Sequence, residues 1–207
     1  MTTIGDKLQG VRERVWHACD QAGRPRDAVR LLAVSKTFGA DVVREAAAAG
    51  QTAFGENYVQ EGVDKVLALR GQPGLPALEW HCIGPLQSNK TRPVAEHFDW
   101  VQSVDRLKIA QRLSEQRPAH LPPLQVCLQV NVDGGANKSG VSPAELPSLA
   151  EAVAALPRLR LRGLMAIPEP APDAESAQAV FAQVRLLFDE LRRQGLDLDT
   201  LTMGMSE

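Results

Sequence analysis

The chain alternates β-rich and helical runs with a regularity that leaves few folds open to it. Val29–Ser35, Thr52–Tyr58, Glu79–Gly84, Asp99–Val104, Leu124–Val132, Arg158–Ile167 and Thr200–Ser206 read as β segments, and one helical segment separates each from the next. An N-terminal helix precedes them, with Ile4, Leu8, Val11, Val15 and Cys19 at helical spacing and Gly23 as its stop. Strands joined by crossover helices pair in parallel, and the crossovers are right-handed. An open doubly wound sheet and a closed (β/α) barrel share this grammar. The strands are short and evenly spaced, and none enters its helix through a G-x-G-x-x-G turn, so the barrel is expected. Seven strands are one fewer than the eight of a TIM-type barrel, and the sequence stops just after a strand, at MGMSE. The expectation is one domain over residues 1–207, ending ahead of a last helix and strand of on the order of 25 residues.

Ligands of parallel barrels sit at the carboxyl ends of the strands, which makes those positions the shortlist. They are Ser35, Lys36 and Thr37, then Glu56, Asn57 and Tyr58, then His81, Gly84, Gln87 and Asn89. Later strands offer Asn131, Asp133, Lys138, Ser139, Met165 and the run Met203–Ser206. Lys36 stands out because it ends LLAVS, which reads as a central strand buried on both faces. Lysine rarely enters such a place unless paired or used, and desolvation favours the neutral amine that condenses with an aldehyde. The plainer alternative is a lysine that leaves the strand and reaches solvent. The stretch DGGANKSG lacks the glycine before its lysine and the immediate helix of a P-loop.

Composition narrows the classes further. A net charge of −2 gives no electrostatic footprint for nucleic acid or an anionic membrane. No run approaches the roughly 18–20 apolar residues of a membrane helix, and the first residues lack the apolar centre of a signal peptide. A cytoplasmic protein is expected. The three cysteines, Cys19, Cys82 and Cys127, form no CxxC pair, and the four histidines show no metal spacing. Cys82 and Cys127 lie in apolar runs and read as buried thiols.

LLAVSKT (31–37), FGENYVQE (54–61), HCIGPLQSNK (81–90), NKSG (137–140), GLMAIP (163–168) and MGMS (203–206) stand together in this order. In this the chain resembles the YggS/PROSC family, the pyridoxal phosphate homeostasis proteins, over essentially its whole length. The resemblance implies a fold like the alanine racemase barrel domain and the fold-type III decarboxylases. It also implies pyridoxal 5′-phosphate (PLP) held as a Schiff base on Lys36. Asn57 would then lie beside the cofactor, Met165 and Met203 would help line its pocket, and Ser206 would donate to its phosphate. The family's remaining contacts come from a last strand that this sequence does not contain.

The leading expectation is a non-catalytic PLP carrier acting in vitamin B6 homeostasis, monomeric and able to supply PLP-dependent apo-enzymes. A PLP-dependent racemase or decarboxylase is the main rival. A racemase needs a base on each face of the substrate carbanion, and the fold-type III enzymes draw one of them from a second domain or subunit. Tyr58 is the sole tyrosine here. A third reading is a sugar-phosphate barrel enzyme using Lys36 in aldolase fashion, which predicts no bound chromophore.

Overall fold

The computed structural model describes residues 3–134 and 139–204. Among the described residues seven strands alternate with helices, and the chain divides into two compact units, 1–81 and 82–207.

The first unit opens with helix α1, Ile4–Gln21. Thr3 and Asp6 form a reciprocal capping box at its start, each side chain bonding the other's backbone N–H. Strand β1 follows (Ala33–Val34), then α2 (Ala40–Ala48), β2 (Ala53–Glu56), α3 (Val59–Leu69) and β3 (Glu79–Cys82). β1 pairs in parallel with β2, Ala33 opposite Phe54 and Val34 opposite Gly55. The Glu79 N–H donates to Thr52 O, tying the start of β3 to the β2 segment. Val43, Ala46 and Ala47 of α2 and Val63, Val66 and Leu69 of α3 are buried at helical spacing. Phe54 and Trp80 pack with ring centroids 5.7 Å apart. The buried Gln51 amide donates to both Leu31 O and Ala53 O, joining the approach to β1 with β2.

β1 departs from the sequence expectation. Its regular part is only two residues, and Val34 is 46% exposed, so the strand is not buried on both faces. Among the described residues β1 stands at the end of the strand order, with a ladder partner on one side only.

The second unit carries α4 (Thr91–His97), β4 (Trp100–Val104), α5 (Leu107–Gln116), β5 (Leu124–Gln129), α6 (Leu146–Ala154), β6 (Leu159–Ala166), α7 (Ala174–Arg193) and β7 (Thr200–Met203). Its strands pair in parallel in chain order. Trp100, Cys127 and Met165 form a buried cluster, and the Arg162 guanidinium lies 4.8 Å above the Trp100 ring while forking onto Asp199. The buried Arg117 donates to the carbonyls of Ala95, Phe98 and Pro122 and so satisfies helix-end and loop acceptors. Ser142 followed by Pro143 reads as an N-cap and a first helical residue, yet α6 begins at Leu146. Pro147 explains the shift: without an N–H it belongs in a first turn, which sets the start at its doorstep. Ser142 instead caps a preceding turn, accepting from the Glu145 N–H.

Candidate functional site

The chain leaves β1 through a tight turn that carries Lys36. The Ser35 N–H still donates to Gly55 O in the ladder with β2, and the Phe38 N–H closes back on Ser35 O at 3.1 Å. Lys36 and Thr37 are therefore the two central residues of the turn. Thr37 has φ +68°, in the left-handed region, where turns of this kind ordinarily take glycine. Lys36 is half-buried and has no ion pair or side-chain hydrogen bond among the described residues.

Beside it lies a lysine of the opposite kind. Lys65, on α3, is 5% exposed and donates to three acceptors: Ser35 O at 2.6 Å, Glu56 Oε1 at 2.8 Å and Glu61 Oε1 at 2.6 Å. Glu56 ends β2, all of whose residues are buried, and its side chain is wholly enclosed. A carboxylate in that position needs a cation, and Lys65 supplies it. Ser35 Oγ also donates to Glu56 Oε1, at 2.5 Å. Glu61 accepts the Thr37 N–H at 2.7 Å, and hydrogen bonding from Lys65, aided by Thr37, holds its carboxyl below the ordinary range. The residues on both sides of Lys36 are thus fastened to one buried ammonium. Glu56 Oε2 is buried with no hydrogen-bond partner among the described residues, at the carboxyl end of β2. At this end of the unit Lys36 offers an amine to a group that bears an aldehyde. A cleft of about 490 Å³ borders the turn, lined by Thr37–Ala40 and by Glu61, Asp64, Lys65 and Ala68. Neither Lys36 nor Asn57 lines it.

Asn57, half-buried, follows Glu56 at the end of β2, so the adjacent strands β1 and β2 bring Lys36 and Asn57 to the same end of the first unit. In the second unit Met165 is buried near the end of β6, and Met203 ends β7 at 42% exposure. Their strands pair with Met165 opposite Thr202 and Ala166 opposite Met203. Ser206 and Lys138 lie outside the described residues. His81 Nε2 and Arg30 both bond the Glu79 carboxylate, which His81 chiefly holds down at about 2. Cys82 and Cys127 are fully buried, and burial pushes each thiol up to about 12. Among the described residues no His, Cys, Asp and Glu side chains gather in a group that could hold a metal ion. None of the helices described is long and apolar enough to cross a membrane.

Sequence reasoning put Glu56 on the shortlist only as a strand end, and it missed Lys65 and Glu61. A signal existed. Gly62, Lys65, Val66 and Leu69 follow the i, i+3, i+4, i+7 spacing of the buried stripe of α3, so a lysine stands where an apolar residue belongs.

Residues 8–207 match the alanine racemase N-terminal domain family. The pyridoxal phosphate homeostasis protein of Pseudomonas aeruginosa is 60% identical over 207 residues, covering 100% of this chain and 87% of that protein. PipY of Synechococcus elongatus, solved with PLP bound, superposes with a TM-score of 0.79 at 41% identity, covering 95% of this chain and 90% of PipY. An alanine racemase of Clostridium difficile shares the fold at a TM-score of 0.67 and 16% identity, over 86% of this chain and 46% of the racemase. The fold is accordingly the (β/α) barrel of the racemase domain, and the chain belongs to the pyridoxal phosphate homeostasis proteins within the alanine racemase N-terminal domain family.

Proposed function

We propose that this protein binds PLP as a Schiff base on Lys36 and acts in intracellular PLP homeostasis as a carrier rather than a catalyst. The observation that carries the reading is the contrast between two neighbouring lysines. Lys65 is fixed by three acceptors and balanced by a buried carboxylate, while the half-buried Lys36 at the end of β1 has no partner among the described residues. A free, partly desolvated amine is the nucleophile that an aldehyde requires. The lysine nitrogen would bond the aldehyde carbon, whose oxygen leaves as water. Asn57, at the neighbouring strand end, would orient the bound ring. On the family resemblance, Met165, Met203 and Ser206 would contact the same cofactor. PLP brings an electron-withdrawing ring that acidifies an attached amino acid.

Carrier is preferred to racemase or decarboxylase on the placement of the residue type best suited to be the second acid–base group. Tyr58, the one tyrosine, is 58% exposed at the start of α3 and so cannot serve as a water-excluded base. We further place the protein in the cytoplasm as a monomer that supplies PLP to apo-enzymes.

The test is the visible spectrum of the purified protein with PLP, followed by borohydride reduction and peptide mapping. Reduction should fix the cofactor on the Lys36 peptide, and Lys36→Ala should abolish trapping while leaving the fold intact. Equal trapping on the variant would refute the assignment and turn attention to Lys138. Incubation with alanine, ornithine, lysine or arginine should give no turnover above that of free PLP. Robust turnover would return the protein to the enzymes.

A further inference from the structure

We infer that Glu61 is a positioning residue for Lys36, holding the left-handed turn that aims the Lys36 amine. The inference rests on the Schiff-base reading of Lys36. The Thr37 backbone has φ +68°, a conformation that a β-branched residue occupies only when something holds it. Packing does not supply that hold. Thr37 and Phe38 are exposed, and the cleft of about 490 Å³ on their side leaves room for the turn to relax. Hydrogen bonds supply it. Glu61 Oε1 takes the Thr37 N–H at 2.7 Å on one side of Lys36, and Lys65 holds Ser35 O at 2.6 Å on the other. The two clamps meet, because Lys65 also donates to Glu61 Oε1 at 2.6 Å. Glu61 is therefore where the free edge of the turn joins the buried ammonium. If Thr37 falls back into a right-handed conformation, the peptide planes on either side of it rotate, and the preceding Lys36 loses its aim.

The geometry makes a specific demand on a double-mutant cycle with Thr37→Gly, because glycine takes the left-handed conformation without steric cost. In the otherwise native protein, Glu61→Ala should weaken PLP binding and slow Schiff-base formation by about fivefold to thirtyfold, the population factor set by the left-handed penalty. In the Thr37→Gly background the same Glu61→Ala change should cost less than about threefold. Glu61→Gln keeps an oxygen for both donors and should stay within about threefold of wild type. Hydrogen exchange at the Thr37 amide, measured without PLP, should speed up in Glu61→Ala and stay slow in Glu61→Gln. A role for Glu61 in stability alone would lower the melting temperature and give the same binding penalty in both backgrounds. That result, or unchanged binding in Glu61→Ala, overturns the inference while Lys36 still traps PLP. Failure of wild-type Lys36 to trap PLP overturns the underlying reading instead, and the amide exchange then reports on the turn by itself.

Discussion

Replacing Lys65 by methionine keeps the length and apolar stem of the side chain and deletes only its charge. The three acceptors that Lys65 now serves are then left unequal. Ser35 O retains the Phe38 N–H, and Glu61, with 30% of its side chain exposed, can turn to water. Glu56 has no such recourse: its side chain is wholly enclosed, and Oε2 already lacks a partner among the described residues. Removing one member of a buried pair costs about 3–5 kcal/mol, because the surviving charge stays buried. For a chain of this size each kcal/mol lowers the melting temperature by about 2–4 °C, so Lys65→Met should melt about 6–20 °C below wild type. The assay is thermal and urea unfolding of the PLP-free protein, since ligand binding would otherwise add its own stabilisation. The decisive comparison is Lys65→Met combined with Glu56→Leu, which removes both charges together. An apolar pair of similar volume is often as stable as the ion pair it replaces, so the double variant should recover to within about 1–2 kcal/mol of wild type. The remainder is the Ser35 hydroxyl, which loses its acceptor. A single variant within about 1 kcal/mol of wild type, or a double variant as unstable as the two singles summed, would refute the argument that Lys65 is buried to neutralise Glu56.

Two further outcomes follow from other parts of the molecule. A methyl group at Gly163 would overlap the carbonyl oxygen of Thr200 across the β6–β7 ladder, so Gly163→Ala should cost on the order of 3 kcal/mol and loosen β7, read as faster amide exchange over Thr200–Met203. Glu79 is held down to about 2 from an ordinary 4.5, first by the hydrogen bond from His81, so its contribution is complete above pH 4.5 and disappears as pH falls toward 2. Because this carboxylate is partly exposed, the contribution is about 1–2 kcal/mol, and the stability gap between wild type and Glu79→Gln should close over that window; a constant gap would show that the charge is not responsible.

The fold was legible because its information is periodic. Alternating β and helical runs required parallel strands, and all seven appear where the runs lie, trimmed at their ends. The trimming has physical causes. The apolar LLAVS run shortened to Ala33–Val34 because apolar content reports burial averaged over both faces, whereas β1 has a strand neighbour on one side only among the described residues. α6 starts later than the serine–proline signal at Ser142 and Pro143 because the second proline, Pro147, fits the first turn.

The candidate site was legible only in part, and the division between the two lysines shows why. Lys36 could be singled out by its place at the end of an apolar run. Its supports could not be found that way, because each is ordinary by itself: a glutamate closing a strand, a glutamate in the first turn of a helix, and a lysine four residues beyond it. Glu61 and Lys65 at i, i+4 are a common solvent-facing pair on helices. What separates this pair from a surface one is that Lys65 lies on the buried stripe of α3, where it meets a carboxylate from β2 and a carbonyl from the turn after β1. Those three elements are adjacent only once the strands have paired. A reading that treats every charged residue on an apolar stripe as a demand for a buried counter-charge would have asked for Glu56, the sole carboxylate within the neighbouring strand β2. It would then have reached the turn from the support inward, with Lys36 as the amine that the network leaves free.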